Sequence, residues 1–159
     1  MKHSLAALAL LLSATLTLAT AEADQTADRE AIDELMWRYA RALDTRNAEA
    51  YAALYTEDGE FTAGTMAVRG REALRAMIEN LGPIEPGSQP MYHMTADSFT
   101  EFVDETHARH HTYYLTVLGA GGGSQPSIVA AGRGVDDLVK VDGRWLIRSR
   151  NVAPGDDGN

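Results

Sequence analysis

The stretch that decides the fold is residues 128–152, which read IVAAGRGVDDLVKVDGRWLIRSRNV. Asp142-Gly143 divides this stretch into two runs rich in β-branched and aromatic residues. Asp-Gly suits a two-residue hairpin turn, because both central residues of such a turn take positive φ angles. The sequence therefore predicts a hairpin whose strands cover Ile128 to Val141 and Arg144 to Val152.

The residues before this hairpin continue the strand pattern. Two further strands are predicted, at 91–103 and 106–118, with a turn at Asp104-Glu105 and a connection over 119–126. Gly121-Gly122-Gly123 lies between two strands and is interpreted as part of a hairpin loop, since no helix follows it as a phosphate-binding loop requires. A shorter hairpin around Gly64 is predicted for Phe61 to Val68.

Helical patterns dominate the first half of the chain. A helix from Ala27 to Asp44, with Thr26 as N-cap, has an apolar stripe with helical spacing. A second helix is capped by Asn47 and runs through Tyr55, followed by a turn at 56–59. A third helix covers Arg71 to Leu81, and the Gly- and Pro-rich residues 82–90 form a loop. Helices followed by long strands predict an α+β fold, with helices on one face of a curved antiparallel sheet.

The two ends of the chain are expected to lie outside the domain. Lys2, the apolar run Leu5 to Leu18 and Ala19-Thr20-Ala21 have the order of a secretory signal peptide, and the run is too short to span a bilayer. We therefore predict a signal peptide at 1–21, a domain at 22–153 and a disordered tail at 154–159. The mature protein is expected to be exported, periplasmic or secreted, and free of the membrane.

Composition narrows the chemistry. The chain of 159 residues has a formal net charge of -9 and no cysteine. An acidic protein lacks the basic patches that bind nucleic acid, and without cysteine neither disulfides nor thiol catalysis is available. No Gly-x-Ser-x-Gly motif is present, so no serine has a recognisable setting as a nucleophile. Proton transfer fits these residues better than covalent catalysis.

Two residues are the main candidates for that proton transfer. Asp44 ends the first helix at the margin of its apolar stripe. A carboxylate at the C-terminal end of a helix is unfavourable with the helix dipole, which is unusual for a purely structural residue. Asp44 could also be a solvated residue at the helix end. His93 opens a predicted strand whose face also carries Thr95, Asp97, Phe99 and Glu101; it could also be a structural histidine at the sheet edge. Brought together in a pocket, the two residues would form a general base with its orienting carboxylate.

The histidines at 107, 110 and 111 are interpreted as a weaker signal. On a strand His107 and His111 share one face and His110 lies on the other, and zinc-binding spacing is absent, so no metal site is predicted. His111 shares its parity with Tyr113, Leu115 and Val117, which is the more apolar face. His111 and Tyr113 are therefore expected to point inward and line a pocket.

With these residues laid out, the chain resembles the SnoaL-like branch of the nuclear transport factor 2-like superfamily from about Asp28 to Val152. The similar motifs are Ala31-Ile32, Tyr39…Leu43-Asp44, Tyr51-Ala-Ala-Leu-Tyr-Thr-Glu-Asp58-Gly, Val68-Arg-Gly-Arg-Glu72-Ala-Leu, His93-x-x-x-Asp97 and Asp142-Gly-Arg-Trp145-Leu-Ile-Arg-Ser-Arg150. The resemblance implies a cone: a curved sheet wrapped around about three N-terminal helices, enclosing a pocket at its wide end.

The resemblance also implies a function. The branch includes a dehydratase and a dehydrochlorinase in which an aspartate late in the first helix orients a histidine at the start of the third strand. The matching positions here are Asp44 and His93, so His93 would abstract a proton and Asp44 would hold its tautomer, with no cofactor. Homodimers that pair through the outer face of the sheet are common in this fold.

Some positions depart from the family pattern. Asp97 stands where members often carry asparagine, and Gly132-Arg133-Gly134 replaces a Gly-x-Tyr, which removes an aromatic side chain and is expected to enlarge or open the pocket. Arg133 is interpreted as a partner of Asp97, an anchor for an anionic ligand or a surface residue. Trp145 is expected to pack in the core. The predicted substrate-binding residues are Tyr39, Tyr55, Asp97, His111, Tyr113 and Arg133.

Two functions fit these predictions. One is an exported lyase or isomerase that acts on a small apolar or phenolic molecule, with His93 as base and Asp44 as its partner. The other is a non-catalytic module of the same fold that binds a small ligand or dimerises, since the residues specific to the characterised substrates are missing.

Overall fold

The computed structural model describes residues 25–121 and 123–155, which form three helices and six strands. Helix α1 covers residues 25–44 of this part. The other elements are α2 (Ala48–Ala52), β1 (Tyr55–Ala63), β2 (Met66–Arg69), α3 (Arg71–Glu79), β3 (Met91–Phe102), β4 (His107–Leu118), β5 (Ser127–Val141) and β6 (Arg144–Asn151). The predicted signal peptide and residues 156–159 of the predicted tail lie outside the described residues. No described helix is both long enough and apolar enough to cross a membrane.

The strands form one curved sheet in the order β2-β1-β6-β5-β4-β3, with the helices packed on its inner face. The predicted α+β class and cone-like architecture are confirmed. The sheet is mixed rather than wholly antiparallel, because β1 pairs in parallel with β6. Sequence patterns report local hairpins well, whereas this pairing joins segments almost ninety residues apart and leaves no local signal. The sheet stays open, with β2 and β3 at its two edges.

Most predicted boundaries are confirmed, and three differ for identifiable reasons. Thr26 lies within the helical residues and is not the N-cap, since Gln25 is also helical. Asn47 does cap α2 through its side chain, but the helix ends at Ala52 because β6 recruits the next residues, with the Ile147 N–H donating to the Leu54 carbonyl at 2.9 Å. The predicted turn at 56–59 belongs to β1, where it interrupts the pairing with β6 between Tyr55 and Glu60.

Strand β3 contains a bulge that changes which side chains face inward. The register with β4 shifts between Ala96 and Phe99, and Asp97 takes a φ of 51°. An extra residue in one strand reverses the alternation beyond it. His93 and Thr95 therefore share the inner face with Thr100, while Phe99 is turned outward, so the prediction of one uninterrupted face from 93 to 101 is wrong.

The core lies between the helices and the inner face of the sheet. Its helical members include Ile32, Leu35, Met36, Tyr39, Tyr51, Leu74 and Ile78, and its sheet members include Phe61, Ala108, Leu138, Trp145 and Ile147. The predicted apolar stripe of α1 is thus confirmed, and Trp145 packs in the core as expected. Trp145 also donates its indole N–H to Asp28 at 3.0 Å, which ties the beginning of α1 to the sheet.

A buried polar row crosses the inner face of the sheet. Thr100, His110, Asp136 and Arg150 are register neighbours on β3, β4, β5 and β6. Thr100 Oγ1 lies 2.8 Å from His110 Nδ1, and Arg150 Nη1 donates to Asp136 Oδ2 at 2.5 Å. Because all four side chains are buried, removing one partner of the ion pair would leave an uncompensated charge.

Burial shifts the pKa values of two members of this row in opposite directions. Burial, together with the positive charge of Arg150, lowers the pKa of His110 to about 4. Burial raises the pKa of Asp136 to about 6, against the opposing effect of Arg150. The interior therefore holds a neutral imidazole next to a carboxyl group that resists ionisation.

His110 predicts a specific pH dependence of stability. Between pH 6.5 and 4 this histidine is protonated in the unfolded chain but not in the folded protein. Its contribution to the free energy of unfolding therefore falls by about 3 kcal/mol as the pH drops across this window. His110→Gln, which keeps a partner for Thr100 but does not titrate, is expected to lose that part of the slope. Urea unfolding of both proteins at pH 7, 5.5 and 4.5 measures it. Asp136 contributes a pH dependence of the opposite sign, but it is present in both proteins and cancels in the comparison. If the free energy of unfolding fell equally with pH in both proteins, His110 would not be the group responsible.

Candidate active site

The candidate site is formed where the end of α1 meets the start of β3. Asp44 is the last helical residue of α1, and the chain then turns through Arg46, which has a φ of 50°. Asp44 Oδ1 accepts two hydrogen bonds from His93, one from its backbone N–H at 2.8 Å and one from ring Nδ1 at 2.9 Å. The helix end and the strand start are thus joined through one carboxylate oxygen.

This contact fixes the chemistry of the imidazole. A carboxylate can only accept, so Nδ1 carries the proton and Nε2 of the neutral ring keeps its lone pair. The Asp44 side chain is 9% exposed and that of His93 is 27% exposed, so the pair is sheltered without being sealed. Arg41 Nη1 lies 3.7 Å from the second oxygen of Asp44, which leaves Oδ1 to His93. The predicted meeting of Asp44 and His93 is therefore confirmed as geometry.

His93 borders an apolar cavity of about 260 Å³ between α1 and the sheet, which we call the inner cavity. Its walls come mainly from aromatic and aliphatic side chains. They include Tyr39, Leu43, Tyr51, Phe61, Met77, Tyr114 and Val152, with Thr95, Thr116 and Arg150 as polar members. Asp44 does not line this cavity, so Nε2, on the side of the ring away from Asp44, is the nitrogen that a ligand there would meet.

The predicted substrate-binding residues are distributed differently from expectation. Tyr39 lines the inner cavity, with the Arg150 guanidinium 4.1 Å from the centroid of its ring. Tyr55 lies beneath the cavity wall, fully buried, with its hydroxyl 2.9 Å from that of Tyr51. Burial raises the pKa of both Tyr51 and Tyr55, so both remain neutral hydrogen-bonding groups.

The inward orientation predicted for His111 and Tyr113 is wrong. The buried residues of β4 are Ala108, His110, Thr112 and Thr116, so the even positions face inward although they are the more polar set. Tyr113 is 58% exposed on the outer face. Its register neighbour Arg133 and the exposed Asp97 also lie away from the inner cavity. His107 and His111 do share a face opposite His110, as predicted.

Tyr114 is the pocket residue that sequence reasoning missed. Its ring lies over Gly132, where an added Cβ would come within 2.9 Å of the ring, and its hydroxyl donates to the Val152 carbonyl at 3.1 Å. Tyr114 therefore supplies an aromatic part of the cavity wall from β4, and Gly132, which leaves room for its ring, was the sequence signal that could have shown it.

Comparisons with known proteins support the fold. A 29% identical Mycobacterium tuberculosis protein of unknown function has a TM-score of 0.71, covering 80% of this chain and 72% of that one. A candidate scytalone dehydratase from Novosphingobium aromaticivorans is 28% identical, with a TM-score of 0.68, covering 80% and 84%. ActVI-ORFA from Streptomyces coelicolor is 23% identical and has a TM-score of 0.70, covering 79% of this chain and 95% of that one. At this identity the match supports the fold alone. No curated protein matches the chain.

The sequence profile of one family covers nearly all of the described residues. It matches residues 24–151, close to the predicted domain of 22–153, and therefore spans the helices, the sheet and both members of the Asp44–His93 pair. By this match the chain belongs to the SnoaL-like domain family.

Proposed function

We propose that the protein is a cofactor-independent lyase or isomerase in which His93 is the general base and Asp44 is its positioning partner. The observation that carries the proposal is the 2.9 Å contact between Asp44 Oδ1 and His93 Nδ1 at the edge of an apolar cavity. A histidine oriented in this way and facing an apolar pocket suits removal of a proton from carbon.

The proposed steps follow from the tautomer. Nε2 takes a proton from a carbon atom of a ligand in the inner cavity, and the electron pair of that C–H bond moves into the ligand. The ring becomes an imidazolium that Asp44 stabilises through the Nδ1 hydrogen bond. His93 then returns the proton, either to a departing hydroxyl group in a dehydration or to another carbon in an isomerisation. Apolar walls such as Leu43, Phe61 and Met77 exclude water and strengthen these interactions.

One observation favours the second candidate, a module that binds a small ligand without turnover. The titratable side chains that line the inner cavity are His93, three tyrosines and Arg150. None of the other four is a group that ordinarily gains or loses a proton near neutral pH. A lyase would therefore need His93 to act as both base and acid. A ligand recovered unchanged from the purified protein would support this candidate.

Substitutions at the pair separate the two candidates. Once a screen of small cyclic ketones and hydroxylated aromatics by mass spectrometry finds a conversion, Asp44→Asn is expected to lower kcat roughly a hundredfold or more, because the tautomer and the imidazolium lose their partner. His93→Gln is expected to abolish turnover.

The matched control is Asp97→Asn, on the same strand as His93. Asp97 is exposed at the β3 bulge with a positive φ that asparagine also tolerates, so this variant should keep its fold and its rate. Full rates in both Asp44→Asn and His93→Gln would refute the proposed base.

We also propose that two copies pair through the outer face of the sheet. Phe99 is 63% exposed there, and its ring centroid lies 6.3 Å from that of His111. Tyr113, two residues after His111 on β4, is 58% exposed on the same face. Exposed aromatic side chains on one face of a sheet are typical of the residues that anchor protein–protein interfaces.

If two copies pair through the outer face, the protein is a dimer in solution, and one charged residue introduced on that face should disrupt it. Sedimentation equilibrium should give twice the chain mass for the wild type and a monomer for Phe99→Asp, because a carboxylate would be buried in the apolar part of the interface. Val103→Asp, at an apolar position that is 68% exposed just after β3, is the control and should remain dimeric. A wild-type protein that is monomeric at micromolar concentration would contradict the pairing.

A further inference from the structure

A second cavity adjoins the candidate site. It has a volume of about 640 Å³ and lies between the end of α1, residues 82–90 and the start of β3. We call it the outer compartment, and residues 82–90 the strap. Leu43 and His93 border both cavities, whereas Asp44 borders only the outer compartment. His93 and Leu43 are therefore shared by the two linings, so a ligand that contacts His93 from the inner cavity lies next to the outer compartment.

The strap is anchored at both ends. Arg46 Nη1 donates to the carbonyls of Leu81, Gly82 and Pro83 at 3.0, 3.0 and 2.7 Å. At the other end, Gln89 Nε2 donates to the Gly119 carbonyl at 2.9 Å, and the Gly119 N–H donates to the Pro90 carbonyl at 2.7 Å. Because these bonds tie the strap to α1 and to the end of β4, the outer compartment has a defined wall.

Large apolar side chains border the outer compartment while remaining exposed. Leu81 is 54% exposed, Ile84 49% and Met91 40%. Scattered exposed apolar residues are ordinary, but these three converge on one concave space that touches the candidate base. Covering them would remove apolar surface from water, which is favourable in proportion to the area covered.

The charges of the outer compartment limit what can cover that surface. Asp44 and Glu85 bring two carboxylates to its lining. Arg46 is the cation of the lining, and its Nη1 is occupied by three carbonyls of the strap region. A ligand group placed there gains apolar contacts but meets negative charge, so a neutral apolar group fits and a carboxylate does not.

We propose that the outer compartment binds a neutral apolar tail on the same ligand whose ring occupies the inner cavity. The substrate class is then a small ring with an alkyl or other apolar substituent, rather than a single compact ring. That the ring is the reacting part rests on the proposed function, whereas the binding of the tail does not.

The test is the affinity of a homologous series for the full-length protein. Phenol and 4-n-alkylphenols from methyl to hexyl are measured by equilibrium dialysis. Affinity is expected to rise about fourfold per methylene through the first several carbons, as for transfer of a methylene group out of water. 4-(4-hydroxyphenyl)butanoate, which adds a carboxylate to a propyl tail, should bind at least tenfold more weakly than 4-n-butylphenol.

Variants locate the tail. Ile84→Ser should cut the gain per methylene to less than twofold while leaving the affinity for phenol unchanged, because it alters the outer compartment alone. Val103→Ser removes another exposed apolar side chain, which lines neither cavity. This variant should show the same gain in affinity per methylene as the wild type. An affinity independent of chain length, an unchanged series in Ile84→Ser or no binding of any member up to its solubility limit would each overturn the proposal.

His93→Gln separates this proposal from the proposed base. If this variant has no turnover but its affinity still rises with alkyl chain length, the outer compartment binds the tail whether or not His93 is a base. Conversely, turnover of a compact ring in a wild-type protein that shows no chain-length dependence overturns the compartment and leaves the base intact.

Discussion

The architecture depends on α1 being tied to the sheet at both of its ends by carboxylates. Near its start, Asp28 accepts from Lys140 and from the indole of Trp145 at 2.8 and 3.0 Å. At its end, Asp44 accepts twice from His93. Between these contacts the apolar stripe of α1 packs on the sheet, and the inner cavity is the space that remains near the Asp44 end. The contact that orients the imidazole therefore also joins the end of α1 to the sheet beside the cavity.

The buried row on the sheet gives the other side of this space its rigidity. Arg150 is held by Asp136, lies over the ring of Tyr39 and borders the inner cavity. A pair of this kind adds little net stability compared with apolar residues of similar size, but losing one partner costs about 3–5 kcal/mol. Arg150 is the member of the row that borders the inner cavity, and its charge is balanced from behind the cavity wall by Asp136.

The sequence predicted elements better than orientations. Asp142-Gly143, Gly64 and the Gly- and Pro-rich strap residues mark turns chemically, so the hairpins and strand limits could be predicted. The inward-facing parity of β4 could not be predicted, because its inner positions carry the polar residues His110, Thr112 and Thr116. His110 is accommodated there by Thr100 on the neighbouring strand β3. A bulge at Asp97 likewise reverses which side chains of β3 face inward beyond it, and it leaves no mark on the sequence pattern that predicts the strand. The parallel pairing of β1 with β6 depends on contacts too distant for any local signal.

The candidate site was predictable only in part, and for a different reason. Asp44 and His93 are 49 residues apart, and no spacing rule brings a helix end to a strand start. Their pairing came from the family resemblance, and the structure supplies the geometry. Tyr114 was missed because its role depends on Gly132 of the neighbouring strand. The strap and the outer compartment are formed by irregular segments, for which periodicity gives no prediction.

The central claim is that Asp44 fixes His93 with its proton on Nδ1. The most direct measurement is the ¹⁵N NMR of the imidazole nitrogens at neutral pH, assigned by comparison with His93→Gln. We expect wild-type His93 to have a protonated Nδ1 and an unprotonated Nε2, and Asp44→Asn to lose this bias. A wild-type ring with its proton on Nε2, or a tautomer that Asp44→Asn leaves unchanged, would show that Asp44 does not orient the imidazole.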